Sequence, residues 1–357
     1  MKCRGCPECK NGGKIEYISI QEEVEQCLIE KSVKIDLNAG HTIASLPFLS
    51  DPIKKLASNK HIALKIYRNQ VKKLNQNPAD KNDVIESENK LQNLGLVDYL
   101  DNLSVEQRNK IKGSPINYFI PWRAVWNLNS QTTQCRLVFD ASHPTDTGVS
   151  LNNILAKGRN GMNKLIEIAI RWQMRRYGFH TDVSKMYNSV KLIEDHWCYQ
   201  LYLWEEGLGP LKIPREKVIP TIIYGVVPSG NQAEQGIRQI GNLMKNDYPR
   251  INEVIQGDIY VDDCPSGENT KSEVNATADN LKLVLGKGGF NLKGFTFSGS
   301  DPPEHLANDD SSVNVFGMKW FSKEDKLSLN IKKLNFGKKC RGKKSQSFEG
   351  LVPEKFT

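Results

Sequence analysis

The chain has 357 residues, 38% of them hydrophobic, which is long enough for two or three structural units and too apolar for a disordered chain. Its 49 Lys and Arg against 41 Asp and Glu leave a net charge of +8, which permits a polyanionic partner without selecting one. No stretch reaches the apolar length of a membrane-spanning helix, and Met1-Lys2-Cys3-Arg4 opens no signal segment, so an intracellular, cytoplasmic chain is expected, neither secreted nor membrane-bound.

Residues 1–30 begin with Cys3, Cys6 and Cys9, close enough together to share one metal. A closed zinc site takes four ligands, and only Cys27 or His41 could complete it, so zinc is not expected and the segment reads as a flexible terminus. The eight cysteines are scattered and read as reduced thiols. From Val33 to Leu46, alternation around Asn38-Ala39-Gly40 predicts a hairpin with a glycine-assisted turn. Ile62, Ile66 and Leu74, with Ala63, Tyr67 and Val71, then form an apolar helical face. Asn77-Pro78 ends that helix, and a more polar one runs from Asp80 to about Leu94. Residues 31–110 thus read as a hairpin plus a helical extension, with a boundary near 105–115.

After Gly113-Ser114-Pro115 the texture changes to short β-rich runs, starting with Tyr118-Phe119-Ile120-Pro121 and Arg136-Leu137-Val138-Phe139. A helix is predicted from Leu165 to Tyr177, strands at 178–182, 198–204, 219–226, 254–261 and 313–321, and helices at 232–246 and 272–286. This is an α+β pattern without regular βαβ alternation.

Nucleotidyl transfer needs carboxylates from separate segments converging on divalent cations. Asp182 follows the strand-like Gly178-Phe179-His180-Thr181, and Asp262-Asp263 follow Asp258-Ile259-Tyr260-Val261 at an expected tight turn. An Asp-Asp turn alone is explained by local hydrogen bonds to backbone. Its company is more specific: Arg136-Leu137-Val138-Phe139-Asp140, Asp182-Val183-Ser184-Lys185-Met186-Tyr187, Tyr224-Gly225-Val226-Val227-Pro228-Ser229-Gly230, Tyr260-Val261-Asp262-Asp263, Gly289-Phe290-Asn291-Leu292-Lys293-Gly294 and Gly317-Met318-Lys319-Trp320 appear in this order. The series resembles the reverse transcriptase motifs of retroelements. Asp140-Ala141-Ser142, Trp197-Cys198-Tyr199-Gln200, Gly294-Phe295-Thr296-Phe297-Ser298-Gly299 and Val313-Asn314-Val315 make it similar to the BEL/Pao group of LTR retrotransposons, most closely over 115–335.

The resemblance implies an α+β right-hand polymerase with fingers in 111–180, a palm in 181–335, an N-terminal helical extension, and a truncated thumb behind the basic, polar tail 336–357. It implies an RNA-directed DNA polymerase taking an RNA or DNA template, a primer and dNTPs. Two Mg²⁺ ions, or Mn²⁺, would be held by Asp182, Asp262 and Asp263 with the carbonyl of Val183. Arg136 would contact the triphosphate, Tyr187 would lie under the sugar and exclude a ribose 2′-hydroxyl, and Pro228, Ser229, Gly230 and Tyr260 would border the nucleotide. Gly317, Met318, Lys319 and Trp320 fall where the family grips its primer. RNase H and integrase regions, expected of a complete polyprotein, are absent from this chain, and the family assembles in cytoplasmic virus-like particles.

Two motifs are rejected. Asp146-Thr147-Gly148 spells an aspartic protease triplet, but His143-Pro144-Thr145 precedes it where an apolar strand belongs, so it reads as a turn. Gly286-Lys287-Gly288-Gly289 lacks the spacing of a phosphate-binding loop. Pro265, two residues after Asp263, is expected to disturb the hairpin that aims the aspartates, because proline donates no ladder bond. Two other readings stay open: an RNA-dependent RNA polymerase, against which Tyr187 argues, and a catalytically inactive retroelement remnant that still binds nucleic acid.

Overall fold

The computed structural model describes residues 19–126, 135–209, 212–299, 303–307 and 312–329. Cys3, Cys6, Cys9 and the basic tail lie outside the described residues. Helices and small sheets mix along the chain as an α+β fold.

Helix α1 (Ile20–Ser32) opens on a capping box, in which the Ser19 hydroxyl accepts from the Glu22 N–H while the Glu22 carboxylate accepts from the Ser19 N–H. The hairpin of β1 (Val33–Asp36) and β2 (His41–Ala44) follows, with Asp36 accepting from the N–H groups of Asn38 and Ala39 and Gly40 at φ +66°. After the single turn α2 (Pro52–Lys55), α3 (Lys60–Leu74) buries Ala63, Tyr67, Val71 and Leu74 at helical spacing. Burying a side chain such as Val71 or Leu74 contributes about 1.5–3 kcal/mol. Pro78, with no N–H to lose, starts α4 (Pro78–Asn93), and the Asn77 side chain caps it by accepting from the Asp80 N–H. Strand β3 (Asp98–Tyr99) and helix α5 (Val105–Lys112) lead into the antiparallel ribbon of β4 (Trp122–Trp126) and β5 (Cys135–Phe139).

The second half begins with α6 (Leu165–Gln173) and β6 (Tyr177–Asp182), then β7 (Val190–Leu192), β8 (Leu201–Trp204) and β9 (Arg215–Val218). Helices α7 (Ser229–Leu243) and α8 (Pro249–Gly257) precede β10 (Asp263–Glu268), α9 (Lys271–Lys287) and β11 (Thr296–Phe297). Three short strands, β12 (Ser312–Val315), β13 (Met318–Phe321) and β14 (Lys326–Leu329), form the last sheet. The remaining sheets order as β1-β2-β7, β10-β6-β11 and β3-β9-β8.

Two predicted strands are absent. Residues 254–257 are the end of α8, because Ile251, Val254 and Ile255 repeat at helical spacing and all three are buried, and 258–261 lead into the Asp262 turn. Residues 219–226 form no strand; Thr221 makes one bridge to Lys191, after which Gly225 turns the chain at φ +101°.

One apolar core runs from Leu46 to Val226 and packs α3, α4 and the β4–β5 ribbon around Trp122, Tyr202 and Trp204. A second packs α7, α8 and α9 against β6 and β10 through Phe179, Ile237, Leu281 and Phe290. A small cluster of Trp172, Val315 and Trp320 fixes the last sheet to α6. Among the described residues no helix is long and apolar enough to cross a membrane.

Candidate active site

The backbone brings the three aspartates to one end of the β6–β10 pair. Asp182 is the last residue of β6 and stands opposite Asp263, the first of β10. Tyr260 and Asp263 close a two-residue turn by exchanging both backbone bonds, 2.8 Å and 3.0 Å, which leaves Val261 and Asp262 at its tip. The Asp262 carbonyl then accepts from the N–H of the buried Val183 at 2.8 Å, so the turn is pinned to the chain just past Asp182. Val261 has φ +58°, a conformation a β-branched residue rarely adopts, and such residues store about 1–3 kcal/mol of strain.

Pro265 leaves this hairpin intact. Pairing runs unbroken from Asp263 opposite Asp182 to Glu268 opposite Tyr177. Asp263 directs both of its backbone groups to Tyr260, away from β6. Backbone groups two residues apart on a strand share a side, so the nitrogen of Pro265 also faces outward, where β10 is the edge of its sheet. The expected disturbance does not arise, because no ladder donor was required there.

Burial, followed by the nearby Asp182, raises the Asp262 carboxyl above the usual aspartate range. Asp182 is paired with the Lys293 ammonium at 2.8 Å, and Asp263 with Nε2 of the buried His180 at 3.1 Å. Among the described residues no three His, Cys, Asp or Glu side chains converge as a ready-made metal cluster. With hard oxygen donors, the set suits Mg²⁺ or Mn²⁺ better than zinc.

Tyr187 packs against Tyr224 with their rings inclined by 40° and their centroids 4.0 Å apart. A Cβ built on Gly230 would lie 3.2 Å from the Tyr187 hydroxyl, so the start of α7 lies close against that ring. Burial first and Asp262 second raise the Tyr187 phenol. The Tyr224 phenol is pushed up to about 12 by desolvation, Tyr187 and Asp262, and the Arg136 charge pulls it the other way. Arg136 is exposed on β5, facing Val125 across the ribbon. Pro228, Ser229 and Gly230 start α7 and do not form an isolated turn: Pro228 is its N-cap residue, and Ser229 is buried in the first turn.

Gly317, Met318, Lys319 and Trp320 occupy the β12–β13 hairpin, whose turn residues Phe316 and Gly317 have φ +54° and +78°. Trp320 is buried against Trp172 with centroids 4.9 Å apart. Phe316 reaches Tyr260 at 6.5 Å between ring centroids, which sets the hairpin beside the aspartate turn.

Sequence reasoning quoted Tyr224 and Lys293 within motifs and gave them no role, and it missed His180 as a partner of Asp263. Gly225 has the strictest geometric requirement here: a Cβ there would lie 1.9 Å from the Phe139 carbonyl oxygen, at a φ unsuited to alanine. Gly225→Ala is expected to destabilise the chain by about 2 kcal/mol. Urea unfolding checks this, and an unchanged midpoint would show that the loop does not press on β5.

No family model matches the chain, and no curated protein does. Among solved structures it is similar to the foamy viral protease-reverse transcriptase dRH in complex with double-stranded DNA, at 16% identity and a TM-score of 0.42. That likeness covers 67% of this chain and 33% of the other, so the chain spans about a third of that protein's length.

Proposed function

We propose that this chain is the fingers and palm of a BEL/Pao-type reverse transcriptase, an RNA-directed DNA polymerase that extends a primer on an RNA or DNA template from dNTPs. The observation that carries the reading is the meeting of Asp182 with the Asp262 turn at the ends of β6 and β10, in a chain whose motifs run in the reverse transcriptase order. The β4–β5 ribbon would be the fingers, and β6, β10 and β11 with α7 and α9 the palm.

Asp182, Asp262 and the Val183 carbonyl would hold divalent cations, with Asp263 beside them, once Lys293 gives up Asp182. When bound, Mg²⁺ or Mn²⁺ supplies acidification of the primer 3′-hydroxyl and neutralisation of the triphosphate. Arg136 offers a permanent planar cation to the triphosphate. The face of Tyr187, held by Tyr224 and Gly230, supports the sugar and leaves no room for a 2′-hydroxyl. The hairpin at Gly317–Trp320 would support the primer end.

Primer extension on poly(rA) with an oligo(dT) primer and Mg²⁺ or Mn²⁺ tests the reading, with Asp262→Asn as the control. Extension that persists in the variant would rule out this site. Tyr187→Ala is expected to raise ribonucleotide incorporation relative to deoxynucleotide by about 10-fold or more, as loss of a steric exclusion does. Unaltered selectivity would remove Tyr187 from the nucleotide and reopen the RNA polymerase alternative.

A further inference from the structure

Asn152, at the start of the turn Leu151–Ile154, uses nearly all of its hydrogen-bonding capacity on other segments. Its Nδ2 donates to the Ser142 hydroxyl and to the Gly225 carbonyl, both at 2.8 Å, and its Oδ1 accepts from the Val227 N–H at 3.0 Å. Its own N–H donates to the Ala141 carbonyl at 3.1 Å. A loop asparagine commonly binds backbone two or three residues away. Here the side-chain partners are 10, 73 and 75 residues distant, so the residue joins separate parts of the fold.

Those parts border the nucleotide side of the site. Ala141 and Ser142 follow β5, which carries Arg136. Gly225 and Val227 lie between Tyr224, packed against Tyr187, and the Pro228-Ser229-Gly230 start of α7. The contact of Gly225 with Phe139 closes the same seam. The Asn152 amide thus ties the segment after the Arg136 strand to the segment after Tyr224, beside the Gly225–Phe139 contact.

We infer that Asn152 is a positioning residue for the incoming deoxynucleoside triphosphate, one that fixes the gap between Arg136 and the tyrosine pair and so governs nucleotide affinity more than turnover. The inference rests on the polymerase reading. Asn152 acts through its partners and touches none of the proposed reacting groups.

The test uses the full chain with Asn152→Ala, Asn152→Asp and Ser142→Ala. A fluorescent deoxynucleotide, mant-dATP, is titrated onto the chain carrying a chain-terminated primer-template, and KM and kcat are read from extension. Asn152→Ala is expected to raise Kd and KM about 10-fold, with kcat within about three-fold and primer-template affinity unchanged. Asn152→Asp keeps the acceptor for Val227 but loses both donors, and falls between Ala and wild type; Ser142→Ala shifts least. Unchanged nucleotide affinity, or KM, kcat and melting temperature worsening together, overturns the inference.

Amide exchange at Val227 without nucleotide reads the clamp independently and should quicken in Asn152→Ala. If exchange there is unaltered, the clamp is refuted whatever the activity. A wild-type chain that neither binds mant-dATP nor extends a primer refutes the polymerase reading, and the nucleotide role of Asn152 falls with it.

Discussion

Asp262→Asn is expected to lower primer extension by at least about a thousand-fold, in line with losing a group that acts on charge in the transition state, while raising the thermal unfolding midpoint. The two effects have one cause. Asp262 is held on a turn tip, partly removed from water and then beside Asp182, which raises its carboxyl above the ordinary aspartate range. A carboxyl that holds its proton more tightly in the folded chain than in the unfolded one lowers stability as pH rises from the ordinary aspartate value through the raised one. At neutral pH the penalty is complete, and an amide of the same shape removes it. Melting curves at about pH 4 and pH 7 should therefore show the variant's advantage only at the higher pH. A variant that melts lower than the wild type at neutral pH would mean that the carboxylate is stabilised by its surroundings, against the account of burial beside Asp182.

Glu88→Ala is expected to destabilise the chain by about 3–5 kcal/mol, far from the aspartates. Glu88 and Lys217 form an ion pair at 2% and 1% side-chain exposure. Tyr202 donates to the same Glu88 oxygen at 2.9 Å, Lys217 donates to Gln92 at 2.6 Å, and the Lys217 ammonium lies 4.1 Å from the Tyr99 ring centre. Burial lowers the Lys217 ammonium, and Glu88 works against that shift. Without Glu88 the cation is left in an apolar core and must shed its proton or draw in water. Replacing both partners, Glu88→Met with Lys217→Met, should recover most of the loss, because desolvation offsets much of what the pair contributes. Urea unfolding of the two single variants and the double variant reads this as a cycle. Additive losses would show that the pair is not coupled.

The hairpin at β1–β2, the helices α3, α4, α7 and α9, and the strand β6 were legible because each depends on a local period or a turn residue. The capping box at Ser19 and Glu22 was equally local and marks α1. What misled was the short apolar run. Val254, Ile255 and Ile259 suit a strand until Ile251 is counted with them and the helical spacing shows. The run Ile222-Ile223-Tyr224 reads as a strand, yet the segment is held by Val190 and Asn152 instead of a ladder. In the candidate site the carboxylates could be named because they sit inside motifs. His180 could not be paired with Asp263 across 83 residues without the register of β6 and β10, nor Asn152 with Gly225 across 73.

The outward nitrogen of Pro265 has a consequence for crowding. An exposed strand edge offers donors and acceptors to any passing chain, and one that opened onto the aspartates would invite a stranger's backbone to lie down beside them. The outer rim of β10 lacks a donor two residues from Asp263, and its next outward carbonyl, on Gly267, already accepts from Arg250 in a strand buried from Cys264 to Glu268, so that rim offers a guest strand few free groups. Strand addition beside the aspartates is thereby disfavoured by the backbone itself.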